Sequence, residues 1–472
     1  MSQQLNYAVV DQGSTATKCA LCDTAGRIFS EASAPTTPRV RDGRTELDAE
    51  SLADTVEDLL GRILHSSSVG AIGLTCQRST CLIWDRESGA ALTPALSWQD
   101  TSQVDRARSL ESQADDVADR TGLRLSPYYA AVKLSALLEE LPDGRERAAR
   151  GELVAGTLDA FLMHRLTGSP ATEPGHAGRT LLYNLSQGSW DSHLCEIFGV
   201  PTAALPTLHT SAGYWGKHHG IPVCAGAGDQ QAALIGHGGW TPGTVAVHFG
   251  TGAFVLASVG PRVQRAEGLL SAVLASSASG RRFQLEGSVN SAGSAVDWAC
   301  ELTGQRIVDW VDRDLVPEEL PWVVPALAGL GAPWWKPQAR GMIRGLSLGT
   351  RGEDIVGGVL FGIAMRVVDN LEAMAEAGTH PDVVRVSGKL TRLQGLVGLI
   401  ADAAKVPVEV SLHEETGLIG ISRLAAAGLS GSEAPLDIAP PTSQRREPRW
   451  SSRRVESVRQ RWREWIAAPF DG

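Results

Sequence analysis

The chain has 472 residues, of which 43% are hydrophobic and 20% charged, and its formal net charge is −10. That length exceeds what one core fills and predicts two large domains. The composition excludes a fibrous or disordered chain, and the acidic balance argues against nucleic acid as the main partner. The opening residues show no basic, apolar and small-residue leader, and no apolar run approaches the ~18 residues of a membrane span, so a cytoplasmic protein without a membrane partner is expected.

Along the chain, Tyr7–Leu21 reads as two strands around the turn Asp11-Gln-Gly-Ser-Thr15, and Thr244–Ala257 repeats the pattern around Phe249-Gly-Thr-Gly252. Such turns present backbone N–H groups and hydroxyls that can hold a phosphate. Cys19 and Cys22 have metal-like spacing but sit in a strand pattern, and the odd set of seven scattered cysteines suits reduced thiols. Helices are expected at 49–65, 131–141, 353–376 and 392–404, and strands at Val69–Leu74, Gly220–Gly226, Val383–Val386 and Val406–Val410. These make two α/β halves, 1–238 and 239–472, with the break in the glycine-rich stretch between Leu234 and Thr244. Residues 430–447 read as a surface connection. The arginine-rich end carries Val455, Val458, Trp462 and Trp465 at helical spacing, which predicts a docked terminal helix.

A phosphate turn in each half implies a nucleotide between them, so closure of the halves would exclude water. No G-x-x-x-x-G-K-[ST] occurs, since Ser387-Gly-Lys-Leu390 lacks both the upstream glycine and the hydroxyl, and no protein-kinase set of motifs is present. Asp11 beside a hydroxyl-rich turn could position Mg²⁺ and the outer phosphates, or could simply shape a hairpin. Asp229, after Gly226-Ala-Gly228, projects from a strand end where a base would sit; it also precedes a credible helix start, where it would act as a cap.

Together these motifs resemble the FGGY family of carbohydrate kinases, the glycerol kinase and xylulokinase group, in order and over essentially the whole chain. The matching segments are Asp11–Thr17, Gly228–Leu234, Phe249–Gly252, Gly329–Trp335 and Arg340–Thr350. The resemblance implies two ribonuclease H-like domains of the actin and Hsp70 type with an interdomain cleft. It also implies ATP-dependent phosphorylation of a small polyol or sugar, with Mg²⁺ held by Asp11 through water and Asp229 as base. Gly13, Ser14, Thr15, Thr17, Lys18, Gly250, Thr251, Gly252, Gly329, Gly388 and Lys389 would then face ATP. Arg78, Ser79, Trp98, Tyr128, Asp229, Gln230 and Phe254 would face the acceptor, and a homodimer is allowed.

The segment Gln77-Arg-Ser-Thr80 is nearer to glycerol kinases than to xylulokinases, yet Ser79 stands where glycerol kinases have Glu. The lost carboxylate and the added room point to a larger polyol or a ketose, with glycerol still a candidate. Lys389 replaces a glycine of the family's adenosine motif, and Glu173-Pro-Gly-His-Ala-Gly-Arg-Thr180 also departs from the family pattern. These departures motivate one alternative, a catalytically weak nucleotide-binding regulator; a chaperone or filament ATPase of the same fold is the other.

Overall fold

The computed structural model describes residues 5–64 and 69–467. Both expected hairpins form, as Asn6–Gln12 with Ala16–Cys22 and as Val245–Phe249 with Ala253–Gly260. Each is the centre of a larger sheet built to one plan. In the N-terminal sheet the parallel strands Val69–Cys76 and Ile221–Gly228 extend the hairpin on one side, while Ile28–Pro35 lies antiparallel on the other. In the C-terminal sheet Val384–Gly388 and Val408–Ser411 add in parallel, and Gly280–Val289 lies antiparallel on the opposite side. The core strand order is therefore the same twice, with the glycine turn after the first strand each time.

Expected and observed helices agree closely: 49–64, 130–140, 352–376 and 394–404, residue 65 lying outside the described residues. The terminal helix Ser452–Ile466 docks on the helix Gly352–Glu376, with Val458, Trp462 and Trp465 buried and Val455 partly buried. Asp369 ties the two together. It accepts from Arg459 and Arg366, both at 2.7 Å, and from the Trp462 indole at 3.1 Å, so these buried arginines are neutralised in place.

One helix crosses between the halves. Thr416–Ser430 follows the C-terminal strands in sequence but packs on the N-terminal sheet and on the helix Asp229–Gly236. That approach needs glycine, because a Cβ on Gly420 would lie 1.8 Å from the Ala232 carbonyl oxygen and one on Gly236 would lie 2.0 Å from that of Thr416. The buried Arg423 completes the junction by donating to the carbonyls of Ile235, Gly236 and Ile438, which satisfies the end of the shorter helix.

Candidate active site

The first turn is closed by the Gly13 N–H donating to the Ala16 carbonyl at 3.0 Å. Gly13 and Ser14 are half-buried and Thr15 is exposed. Asp11, at the end of the strand, has one buried carboxylate oxygen without a partner. Burial, then Asp229 and Glu415, push its pKa up to about 7 against a smaller opposing pull from Lys18. A carboxylate oxygen left open beside a glycine and hydroxyl-rich turn fits Mg²⁺, which is held by one or two carboxylates together with phosphate oxygens and water.

One expected member of this turn, Thr17, is placed differently. Thr17 is fully buried with its hydroxyl 3.4 Å from that of Thr36, because strand alternation turns it inward, so it shapes the turn and does not line it. Lys18 forms a partly exposed ion pair with Glu415, just before the crossing helix. That pair links the two halves at the mouth of the cleft.

Asp229 opens the helix Asp229–Gly236, and its carboxylate accepts from the Gln230 N–H at 2.8 Å while remaining about one-third exposed. Gly228 is the cap residue of this helix and no side chain caps it, so Asp229 is the first helical residue and not the cap. Arg78 Nε lies 3.4 Å from Asp229, and its other nitrogens grip Glu286 at 2.6 and 3.2 Å. The same guanidinium lies over the Phe254 ring, 5.6 Å from its centre. Arg179 adds a second contact to Glu286 at 3.2 Å and stacks over Tyr129. Burial alone would raise the Glu286 pKa, but Arg179 and Arg78 outweigh it and hold it down at about 2. Arg78, Arg179 and Glu286 thus form an ion cluster between the halves, with Asp229 on its exposed side.

In the C-terminal half, the Gly250–Gly252 turn packs on the start of the helix Gly293–Thr303, whose Gly293 and Ser294 N–H groups donate to the Gly250 and Thr251 carbonyls. The loop carrying Gly329 is tied to the same place through Asn290, whose side chain donates to the Ala328 carbonyl at 3.1 Å. Gly388 pairs in register with Phe249 and has φ +95°; a Cβ there would lie 2.1 Å from the Phe249 carbonyl oxygen. Only glycine fits at this point. Lys389 begins a short 3₁₀ turn with its side chain exposed.

Among the expected acceptor residues, Arg78, Asp229 and Phe254 come together, and Gln230 joins them with its amide nitrogen 3.4 Å from Asp229. Ser79 is buried at φ +66°, its peptide carbonyl held by the buried Lys133 at 3.1 Å. Trp98 is half-buried and linked back to the first turn through its N–H to Thr80, Thr80 to Gln77 and Gln77 to Gln12. Tyr128 is 49% exposed and outside the cluster; the buried tyrosine against Arg179 is its neighbour Tyr129, because the helix that starts at Ala130 turns that ring inward. Glu286, Arg179 and His248 were not expected here. The segment Phe283–Val289 alternates apolar and polar residues, so Glu286 falls on the face with Gln284 and Ser288 and nothing local marks it as a buried charge.

Residues 6–236 match the model of the FGGY family of carbohydrate kinases, N-terminal domain, and residues 245–429 match that of the C-terminal domain. A glycerol kinase of Alcanivorax borkumensis is 34% identical over 441 residues, covering 89% of each chain. One from a Geobacter species is 36% identical over 444 residues, again covering 89% of each. Among solved structures, glycerol kinase of Plasmodium falciparum with ADP superposes with a TM-score of 0.89 at 24% identity, covering 98% of both chains. Xylulose kinase of Rhodospirillum rubrum gives a TM-score of 0.86 at 19% identity over 99% of this chain and 100% of that one. With both domain models matched in order across the same two glycine-turn halves, the chain belongs to the FGGY family of carbohydrate kinases.

Proposed function

We propose that this kinase transfers the γ-phosphoryl group of ATP to a hydroxyl of a small polyol or sugar, with Asp229 as the base that takes the hydroxyl proton. The observation that carries this reading is the placement of the Asp229 carboxylate, partly exposed and oriented by Arg78 and Gln230, between the glycine turns of the two halves. Asp11 would hold Mg²⁺ through water, and the cation would neutralise charge on the outer phosphates. Gly13, Ser14 and Thr15 from one half and Gly250, Thr251 and Gly252 from the other supply donors to the phosphates, while Gly329 and Gly388 border the nucleoside. Closure of the halves 1–238 and 239–472 about the crossing helix would exclude water from the transfer.

Arg78, Phe254, Trp98 and Gln230 line the acceptor end. The short buried side chain of Ser79 favours an acceptor larger than glycerol, a longer polyol or a ketose, and glycerol kinase relatives keep glycerol in the set to be tested. The reading places the protein in the cytoplasm, where ATP is supplied and where its seven unpaired cysteines stay reduced. Among the described residues no helix is long and apolar enough to cross a membrane.

The test is acceptor-stimulated ADP formation with glycerol, tetritols, pentitols, ketopentoses and hexoses. Asp229→Asn is expected to bind ATP normally and to lose roughly 10³-fold or more of the stimulated rate. Turnover by this variant at the wild-type rate would refute the assignment.

A further inference from the structure

A chain of three side chains runs behind the second phosphate turn. His237 Nε2 lies 3.2 Å from the Ser387 hydroxyl, and His248 Nδ1 lies 3.1 Å from the same oxygen. His237 ends the segment that begins at Asp229, Ser387 immediately precedes Gly388, and His248 is the second residue before Gly250. His248 is also the cross-strand partner of Phe254 and feels the charges of both Asp229 and Glu415. It therefore sits where the phosphate turn meets the acceptor residues.

The polarity of this chain follows from its hydrogen-bond inventory. Burial first, then His248, push the His237 pKa down to about 3, and burial also lowers that of His248, so both rings are neutral and carry one proton each. His237 Nδ1 is buried without a partner. A proton there would be a buried donor with no acceptor, whereas a proton on Nε2 can be donated to the Ser387 oxygen. Ser387 then uses its own hydrogen toward His248 Nδ1, its other neighbour. The proton of His248 is left on Nε2, which has no hydrogen-bond partner among the described residues.

We infer that His248 is a further catalytic residue that offers a neutral Nε2–H donor to the phosphoryl group in transit, and that Ser387 and His237 are positioning residues that fix its tautomer. The inference rests on the roles proposed above for Asp229 and the Gly250–Gly252 turn. In the transfer, the acceptor oxygen forms a bond to the γ-phosphorus as the bond to the bridging β–γ oxygen breaks. The hydroxyl proton goes to Asp229, and the electron pair leaves with ADP. His248 keeps its proton throughout and stabilises charge on a non-bridging phosphoryl oxygen. A fixed neutral donor also avoids pairing with the nearby carboxylates of Asp229 and Glu415, which an imidazolium would attract.

Two measurements on the full-length protein test this. Long-range ¹H–¹⁵N spectra of the histidine rings at pH 7, with His248 located by its loss in His248→Gln, should show His248 and His237 as Nε2–H tautomers. Ser387→Ala should release His248 into a mixture. In ADP formation with the best acceptor from the screen above, His248→Leu should lower kcat roughly 10- to 100-fold while changing the KM for ATP less than about threefold. His248→Gln, whose amide nitrogen reaches the position of Nε2, should retain activity within about fivefold of wild type. His248→Asn, which reaches only the Nδ1 position, should be as slow as the leucine variant. An Nδ1–H tautomer at His248, an unchanged kcat in His248→Leu, or equal rates for the Gln and Asn variants would overturn the inference. If Asp229→Asn remained fully active, the underlying reading would fall instead.

Discussion

Asp11 holds its proton to about pH 7 because burial, Asp229 and Glu415 all disfavour its charge. In the unfolded chain the same carboxyl ionises near 3.8, so folding takes up a proton between those values. Its contribution to stability is neutral below pH 3.8, becomes unfavourable as pH rises toward 7, and is fully unfavourable above 7. Asp11→Asn removes that penalty. The variant should be more stable than wild type at pH 8 by on the order of 1–3 kcal/mol, allowing for solvent screening of a half-buried group, and equally stable at pH 3.5. Denaturant midpoints at the two pH values measure this. The same variant should lose most phosphoryl transfer, since an amide is a poor ligand for Mg²⁺. A stabilising substitution that removes activity is the expected mark of a residue kept for chemistry.

The terminal helix Ser452–Ile466 shows how one carboxylate can secure an element. Asp369 is the shared acceptor for Arg459, Arg366 and the Trp462 indole, all buried. Asp369→Asn leaves the buried Arg366 without a counter-charge, while Arg459 keeps Glu372 at 2.6 and 2.8 Å, and should cost about 3 kcal/mol, read from the urea midpoint. Trp462→Phe keeps most of the packing and loses only the indole hydrogen bond, so it should cost about 1 kcal/mol. This helix was legible in the sequence because Val458, Trp462 and Trp465 recur at its period. The two hairpins were legible because Asp11 and Thr251 sit in short glycine turns between apolar runs. The crossing of Thr416–Ser430 was not, since periodicity tells which face of a helix is buried and not which sheet covers it. Glu286 and His248 escaped for a related reason: each acts through partners more than a hundred residues away, Arg78 for one and Ser387 for the other. The inward turn of Thr17 followed from strand alternation counted from Cys19, also buried, and could have been read.

At the scale of the whole molecule, the two halves meet through charge as well as packing. Arg78 and Arg179 from the first half share Glu286 of the second, and Lys18 pairs with Glu415 at the cleft mouth. The first cluster is buried; the second is partly exposed, and its contribution falls with ionic strength. The contact between the halves is thus firm at the Glu286 cluster and weaker at the Lys18–Glu415 pair.

The helix Thr416–Ser430 has a consequence for how the protein is made. The N-terminal sheet is synthesised early, but the surface this helix covers stays open until the ribosome has added roughly 180 further residues, about 10–40 s at ordinary elongation rates. During that interval apolar positions such as Ala71, Ala225 and Leu234, buried in the finished molecule, lack their cover. A fragment comprising residues 1–238 should accordingly be poorly soluble when expressed alone. Joining residues 412–432 to it through a flexible linker should restore solubility and a cooperative thermal transition, with the bare fragment's light scattering as the reference. The first half of this chain is finished by a helix from its last third, so its apolar sheet surface is expected to stay uncovered until nearly the end of synthesis.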